Sequence, residues 1–326
     1  MASHFKIILL ALCFSQCRAD WCYTESSCAP NTWTSLGSCN ASNESPIDIL
    51  ENYAQYNASL GPFQFTNYTD PSKLLTITNN GHTVEIEVGD GVSLSAGGLS
   101  SVYMATAFHF HWGNGTPGSE HWLSGKQYPM EMHIVHTKNG MNLTEAKKDA
   151  AGIAVLGFFI DTKDSANTSK MLSLSKLLQQ VSVPGKPLPL NSTISLDELL
   201  ADVNRSMYYR YMGSLTTPTC DQAVVWTVFK NPIFVPSWVV EAFTTTLKYN
   251  VSNATEPLVN NFRPLQPLHG RQVQASFTMQ PSVNSTAAST VTPASSVPSS
   301  GSIIWSTNIL YVSLFLVYQE MANNVI

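Results

Sequence analysis

Three of the eight histidines have the spacing of metal ligands: His109 and His111 bracket Phe110, and His133 follows on the next strand-like run. In an extended strand, residues i and i+2 project from the same face, so His109 and His111 stand side by side. A neighbouring antiparallel strand can bring His133 to that face. Three neutral imidazole nitrogens with a fourth position open to water make a catalytic zinc site. An H-x-H pair alone is only modestly specific, because paired core or surface histidines share the spacing. Parity on the second run sharpens the reading: Glu131, His133 and Val135 share one face, and His136 takes the other. Glu131 is then placed to accept the second ring N–H of His133, the usual outer arrangement at a zinc ligand. The same parity puts Ala107 beside His109, and an alanine methyl accepts nothing.

The elements that must hold these residues are strands. Ala105 to Trp112, Tyr128 to His136, Ile153 to Ile160 and Ala223 to Phe229 are aromatic or β-branched runs of strand length, and Thr83 to Val88 alternates with period two. Helical periodicity is confined to short segments, chiefly Met171 to Val181 and Trp238 to Tyr249. The pattern predicts a mostly β (α+β) fold: a large, mainly antiparallel twisted sheet with short peripheral helices and no internal repeat.

Only 12% of the 326 residues are charged, against about 25% in ordinary globular chains, and the formal net charge is −5. With 17 Lys+Arg against 22 Asp+Glu and no basic run, the chain lacks the footprint of a nucleic-acid partner. At the N-terminus Lys6 precedes the apolar run Ile7 to Phe14, and Cys17-Arg18-Ala19 offers small residues where a signal peptidase reads. Residues 1–19 are therefore read as a secretion signal, with Asp20 the first mature residue. Its removal leaves Cys22, Cys28, Cys39 and Cys220, an even number in an oxidising compartment; two disulfides are expected, with three pairings open. Twelve Asn-x-Ser/Thr matches, from Asn40 to Asn284, suggest that glycans supply the hydrophilicity that charge does not.

The domain is expected to span 20–276, followed by a Ser/Thr/Pro-rich stalk at 277–302 with too little apolar mass to pack. In the final segment, 303–326, the apolar stretch Ile303 to Tyr318 is about 16 residues long and no Lys or Arg follows it. A bilayer takes roughly 20 residues, so the stretch is short for a membrane span. A glycosylphosphatidylinositol (GPI) signal, exchanged for lipid near Asn284 to Ser289, competes with a short transmembrane helix. Shortness and the missing charges favour the lipid anchor, while the polar ending Gln319 to Ile326 argues against it. The expected location is the extracellular face of the plasma membrane, reached through the secretory pathway; a transmembrane tail or a secreted product are the alternatives.

Phe108-His109-Phe110-His111-Trp112-Gly113, Gly118-Ser119-Glu120-His121, Glu131-Met132-His133-Ile134-Val135-His136 and Gly213-Ser214-Leu215-Thr216-Thr217-Pro218 together resemble the α-class carbonic anhydrases. Ser45-Pro46-Ile47-Asp48-Ile49, Asn79-Asn80-Gly81-His82, Ala154-Val155-Leu156-Gly157, Val224-Val225-Trp226 and Asn261-Phe262-Arg263-Pro264 fit the same family, in family order, from Trp21 to about Val273. Trp21-Cys22-Tyr23, Cys28, Cys39 and Thr217-Pro218-Thr219-Cys220 resemble its membrane-anchored, disulfide-bonded extracellular branch, which implies the pairings Cys22–Cys28 and Cys39–Cys220. The resemblance further implies zinc on His109, His111 and His133 at the bottom of a conical cavity, and reversible hydration of CO2 to bicarbonate and a proton. Thr216 would accept a hydrogen bond from the activated water and donate its own to ionised Glu120. CO2 would rest against Val135, Val155, Leu215, Val224 and Trp226, and bicarbonate would leave toward Thr217. His82 would shuttle the proton, a task suited to an imidazole of ordinary pKa near 6.5. Sulfonamides are the implied inhibitors and bicarbonate transporters the implied partners. A binding, adhesion or mineral-matrix module that has lost catalysis is the alternative; the presence of all three histidines with Glu120 and Thr216 favours the enzyme.

The chain departs from that family at three places. Ala107 stands where a Gln usually bonds the first zinc histidine, Glu44 replaces the usual Gln before Ser45-Pro46, and Glu85 is unusual in the cavity wall between the zinc and His82. None removes a ligand, so activity at an altered rate is expected. Gly113 to Gly118 fits G-x-G-x-x-G, but with Pro117 inside it and a strand after it the segment reads as a hairpin loop. His121, His136 and His269 are assigned to structure or surface. No G-x-S-x-G elbow or phosphate-binding Gly-Lys loop supports a hydrolase of another kind.

Overall fold

The computed structural model describes residues 21–278 except Thr116, 167–168, 192, 201–202 and 250–255. The secretion signal, the anchor segment and all but the first two residues of the stalk lie outside the described residues. Among the described residues no helix is long and apolar enough to cross a membrane.

The strands are β1 (Asp48–Ile49), β2 (Gln55–Tyr56), β3 (Phe63–Thr66), β4 (Leu74–Asn79), β5 (Val84–Val88), β6 (Ser93–Ala96), β7 (Tyr103–Trp112) and β8 (Trp122–Leu123), then β9 (Lys126–Gln127), β10 (Met130–Lys138), β11 (Ile153–Thr162), β12 (Leu188–Pro189), β13 (Tyr208–Gly213), β14 (Val224–Val235) and β15 (Gln274–Ala275). Four helices, α1 (Leu143–Ala146), α2 (Ser169–Leu177), α3 (Leu196–Leu199) and α4 (Ser237–Thr246), are short. Twelve strands form one sheet, in the order β12-β4-β5-β7-β10-β11-β14-β13-β15-β2, with β3 and β6 attached through β7; β1, β8 and β9 form a second, small sheet.

All the strand-like runs of the sequence form strands, and the pairing is mainly antiparallel as expected. The central exception is the parallel pair β11 and β14. Parallel neighbours need a crossover, and here it carries α2, α3, β12 and β13. The long central strands are apolar on both sides, so two cores flank the sheet. Phe108, Phe110, Met132, Ile134, Leu156 and Phe158 face one, where Phe243 of α4 packs with ring centroids 5.2 Å from Phe110 and 5.3 Å from Trp112. Val155, Phe159, Tyr211, Val224, Trp226 and Val228 face the other.

Three details differ from expectation. The helix over Met171 to Val181 is α at Ser169–Leu177 and tightens to a 3-10 turn at Leu178–Val181. The helix expected to reach Tyr249 stops at Thr246, because the backbone of Leu247 and Tyr249 pairs with Leu258 and Glu256 instead. The Gly113 to Gly118 segment is not a hairpin: β7 pairs with β10 and β8 with β9 and β1. A Cβ on Gly118 would lie 1.8 Å from the nitrogen of Gly113, and among the described residues of the segment no helix begins. The disulfides are Cys22–Cys28 and Cys39–Cys220.

Candidate metal centre

The pairing of β7 with β10 sets His133 directly opposite His109 and Glu131 opposite His111. β11 continues the rows, with Gly157 opposite His133 and Val155 opposite Val135, and β14 sets Trp226 against Val155. Because side chains alternate with period two, this register puts all of them on one face; a slip of one residue would turn every histidine into the opposite core. Gly157 has a steric reason to be glycine: a Cβ there would lie 3.1 Å from Glu131 Oε1 and 3.7 Å from the His133 ring.

Hydrogen bonds fix the imidazoles. His111 Nδ1 donates to the Asn261 carbonyl at 2.7 Å, and His133 Nε2 donates to Glu131 Oε1 at 2.8 Å. The nitrogens left over, His111 Nε2 and His133 Nδ1, then present lone pairs to each other at 3.1 Å. Such an arrangement is repulsive unless a cation lies beside both. A proton is disfavoured in that role: burial, reinforced by the neighbouring imidazoles, pushes His111 down to about 3 and holds His109 well below the usual histidine range. One ring nitrogen from each of His109, His111 and His133 lies within 4.8 Å of the others. Neutral, convergent nitrogen donors of this kind are what zinc requires, so the residues fit the ion.

The carboxylates flanking the histidines differ in role. Burial alone would raise Glu131, yet His121 and His133 override it and hold the carboxyl well below the ordinary range. Glu131 Oε1 lies 2.7 Å from His121 Nδ1, its Oε2 accepts the His121 backbone N–H at 2.7 Å, and His121 Nε2 is 2.7 Å from the Tyr211 hydroxyl. His121, read from the sequence as structural or surface, is buried and structural: it shares Glu131 with His133. The group His121, Glu131 and His133 also has ligand-like spacing, but its atoms are spent on one another. In Glu120, Oε1 accepts the backbone N–H of Arg263 at 2.8 Å. Its Oε2 is buried without a hydrogen bond, 3.5 Å from His111 Nε2 and 3.9 Å from His133 Nδ1. Burial pushes the Glu120 carboxyl up to about 7, against His133, the Thr216 hydroxyl and the Arg263 N–H, which favour the anion; a positive charge at the histidine nitrogens would pull it back down. Thr216 sits beside Glu120, and its hydroxyl favours the ionised carboxyl.

The other expected residues surround this centre. Val155, Val224 and Trp226 are buried in one apolar cluster, with Val135 and Leu215 half-buried against it; the Trp226 ring lies 4.8 Å from that of His133. Thr217 accepts the Cys220 N–H at 2.8 Å. His82 stacks on Trp21, with ring centroids 4.1 Å apart, and burial lowers its pKa. Its backbone is held by Asn80 Oδ1 on one side and Asn261 Nδ2 on the other. Asn261 therefore supports both His82 and His111. His136 faces the opposite core, 2.6 Å from the Tyr68 hydroxyl, and His269 is exposed. Glu44 gains a reason: it gives the buried Arg263 guanidinium a full counter-charge at 2.7 Å. Glu85 lies opposite His109 on β5, and burial, with Glu87 adding, raises its pKa.

Ala107 sits between Val135 and Glu87 on the histidine face. Among the described residues the His109 ring touches the other two imidazoles but accepts and donates no hydrogen bond. Outer partners of metal ligands are typically worth about 10- to 100-fold in affinity or activity. Ala107→Gln is expected to slow zinc release into a chelator by about that factor, with a smaller effect on turnover. Equal release rates from the two folded proteins would show that His109 gains nothing from a partner.

The sequence profile of the eukaryotic-type carbonic anhydrases matches residues 28–277. Carbonic anhydrase 4 of Oryctolagus cuniculus is 38% identical over 260 residues, covering 78% of this chain and 83% of that protein. Carbonic anhydrase 15 of Mus musculus is 37% identical over 269 residues, covering 78% and 83%, and carbonic anhydrase 12 of Homo sapiens is 36% identical over 261, covering 76% and 70%. A profile match over most of the domain, relatives above 30% identity, and a histidine face built by strand register agree: the chain belongs to the eukaryotic-type carbonic anhydrase family.

Proposed function

We propose that the protein catalyses the reversible hydration of CO2 to bicarbonate and a proton, with zinc held by His109, His111 and His133. The observation that carries this reading is the pair of facing lone pairs on His111 and His133, each tautomer fixed from behind by Asn261 or Glu131. Bound zinc would supply a Lewis acid that makes water a nucleophile near neutral pH. Glu120, oriented by the Arg263 N–H, would accept a hydrogen bond from the Thr216 hydroxyl, which would leave the threonine oxygen to accept one from that water and fix its direction. The apolar cluster of Val135, Val155, Leu215, Val224 and Trp226 offers CO2 a surface without competing polar groups, and Thr217 borders the way out for bicarbonate. His82, stacked on Trp21, is the group that passes the proton to buffer. Stopped-flow CO2 hydration, at low and high buffer, on protein whose metal content is measured in the same sample tests this reading. One zinc per chain and a rate suppressed by a primary sulfonamide are expected; protein that binds no zinc, or binds it without hydrating CO2, would reject it.

We further propose that the enzyme works outside the cell on a lipid anchor, as the stalk and the short apolar tail suggest. Phosphatidylinositol-specific phospholipase C should release it from cells. An epitope placed after Tyr318 that persists on the surface protein would establish a transmembrane tail instead.

A further inference from the structure

Away from the histidines, beside β13 and β15, lies a cavity of about 370 Å³ whose lining includes Arg210, Asn57, Ser100, Leu60, Leu99 and Met212. None of His109, His111, His133, Glu120 and Glu131 lines it; Tyr211, the partner of His121, does. Arg210 is its distinctive member, a charged residue only 6% exposed. Two of its three nitrogens are tied down by neutral acceptors: Nε donates to Thr227 Oγ1 at 3.1 Å, and Nη2 donates to Thr227 Oγ1 at 2.9 Å and to the Gly97 carbonyl at 3.0 Å. Among the described residues Nη1 makes no hydrogen bond and no carboxylate pairs with this side chain. By contrast, the other buried guanidinium, Arg263, is matched by Glu44.

A buried charge held only by neutral groups is costly unless a counter-charge reaches it. The aromatic rings of Phe63 and Tyr208, with centroids 5.8 and 5.7 Å from the guanidinium carbon, supply only weak compensation. The backbone is shaped to keep the cavity open beside Nη1: Gly98 has φ +73, and a Cβ there would lie 2.8 Å from Leu60 and 3.6 Å from Nη1. The N–H groups of Nη1 can give a carboxylate oxygen a charge-assisted hydrogen bond.

We propose that this cavity is a binding site for a small organic monoanion, a short-chain carboxylate whose oxygens meet Arg210 Nη1 and whose hydrocarbon lies against Leu60, Leu99 and Met212. The volume exceeds what a bare inorganic ion fills, the single guanidinium matches a single charge, and the apolar side chains favour a ligand with a carbon tail.

Butyrate is the probe, titrated calorimetrically into the protein after N-glycan removal and in the presence of a saturating sulfonamide, so that no carboxylate is counted at a metal. If the metal centre binds nothing, the sulfonamide is without effect and the result still speaks to the cavity alone. One millimolar-range site is expected, with n-butanol, Arg210→Gln and Met212→Trp each weakening binding by about tenfold or more, the worth of a charged hydrogen bond or of filling the cavity. Met212 is 44% exposed, so its variant reports even where Arg210→Gln fails to fold. Wild-type protein that binds no butyrate at concentrations of order ten millimolar, or a folded variant that binds it as tightly as wild type, overturns the proposal.

Discussion

His111→Ala is expected to lose zinc by about two to three orders of magnitude in affinity and, at limiting metal, CO2 hydration with it. Zinc bound by four protein ligands is worth about 10–16 kcal/mol, so one ligand carries about 3–4 kcal/mol, or roughly 10²- to 10³-fold. His111 is a member the fold aims directly: Nδ1 donates to the Asn261 carbonyl at 2.7 Å, which leaves the Nε2 lone pair facing His133 Nδ1 at 3.1 Å with Glu120 Oε2 at 3.5 Å. The variant leaves the Asn261 carbonyl without that donor, a penalty of about 1–3 kcal/mol in stability. Urea unfolding would separate this penalty from the metal effect, since the sheet that carries β7 and β10 remains paired. Equilibrium dialysis against zinc gives the affinity directly. A folded His111→Ala protein that holds zinc and hydrates CO2 as wild type does would show that the three-histidine face is not the centre of the chemistry.

What could be read in advance follows from the range of each rule. Strand alternation is local, so His109, His111, Glu131 and His133 were placed on one face from their own segments, and β7 and β10 pair in the register that makes the face continuous. The partners that finish the site are remote and anonymous. The acceptor for His111 is the backbone carbonyl of Asn261, 150 positions away, and the donor to Glu120 is the backbone N–H of Arg263, 143 positions away. Every residue owns such groups, so no residue type signals them. The partner of His121 was out of reach for a related reason: only the folding of β10 brings Glu131 against its ring. Glu44 read as an oddity until folding placed Arg263 against it across 219 positions. The parallel pairing of β11 with β14 was hidden as well, because an apolar strand buried on both sides carries no mark of its neighbour's direction.

Removing the Cys39–Cys220 bridge by Cys39→Ser with Cys220→Ser should cost the largest amount of stability of any change away from the metal. The bridge spans 181 residues, for which the chain-entropy relation gives about 5 kcal/mol; the Cys22–Cys28 bridge, spanning 6, comes to about 2 kcal/mol. Measured losses run nearer 2–5 kcal/mol, so a fall of about 4 kcal/mol in the urea unfolding free energy is expected for the long bridge, with a steeper denaturant dependence as the unfolded chain expands. The native contacts around it add a second consequence. Cys39, Cys220 and Trp33 form a small cluster of their own, against which Trp21, Tyr23 and Leu36 pack, and Trp21 is the ring stacked on His82. Ser38 donates to the Thr219 carbonyl at 2.9 Å and Cys220 to that of Thr217 at 2.8 Å, so the bridge fastens the N-terminal segment onto the loop that carries Thr216 and Thr217. The histidines sit on β7 and β10 and do not depend on it. Zinc affinity should therefore survive in the double variant at temperatures where it remains folded, while the buffer-dependent part of CO2 hydration slows as Trp21 loosens from His82. A loss of less than about 1 kcal/mol would mean that the denatured chain is already as confined without the bridge as with it. Zinc affinity falling together with the hydration rate would mean that the loop, and not the sheet alone, holds the histidine face in place.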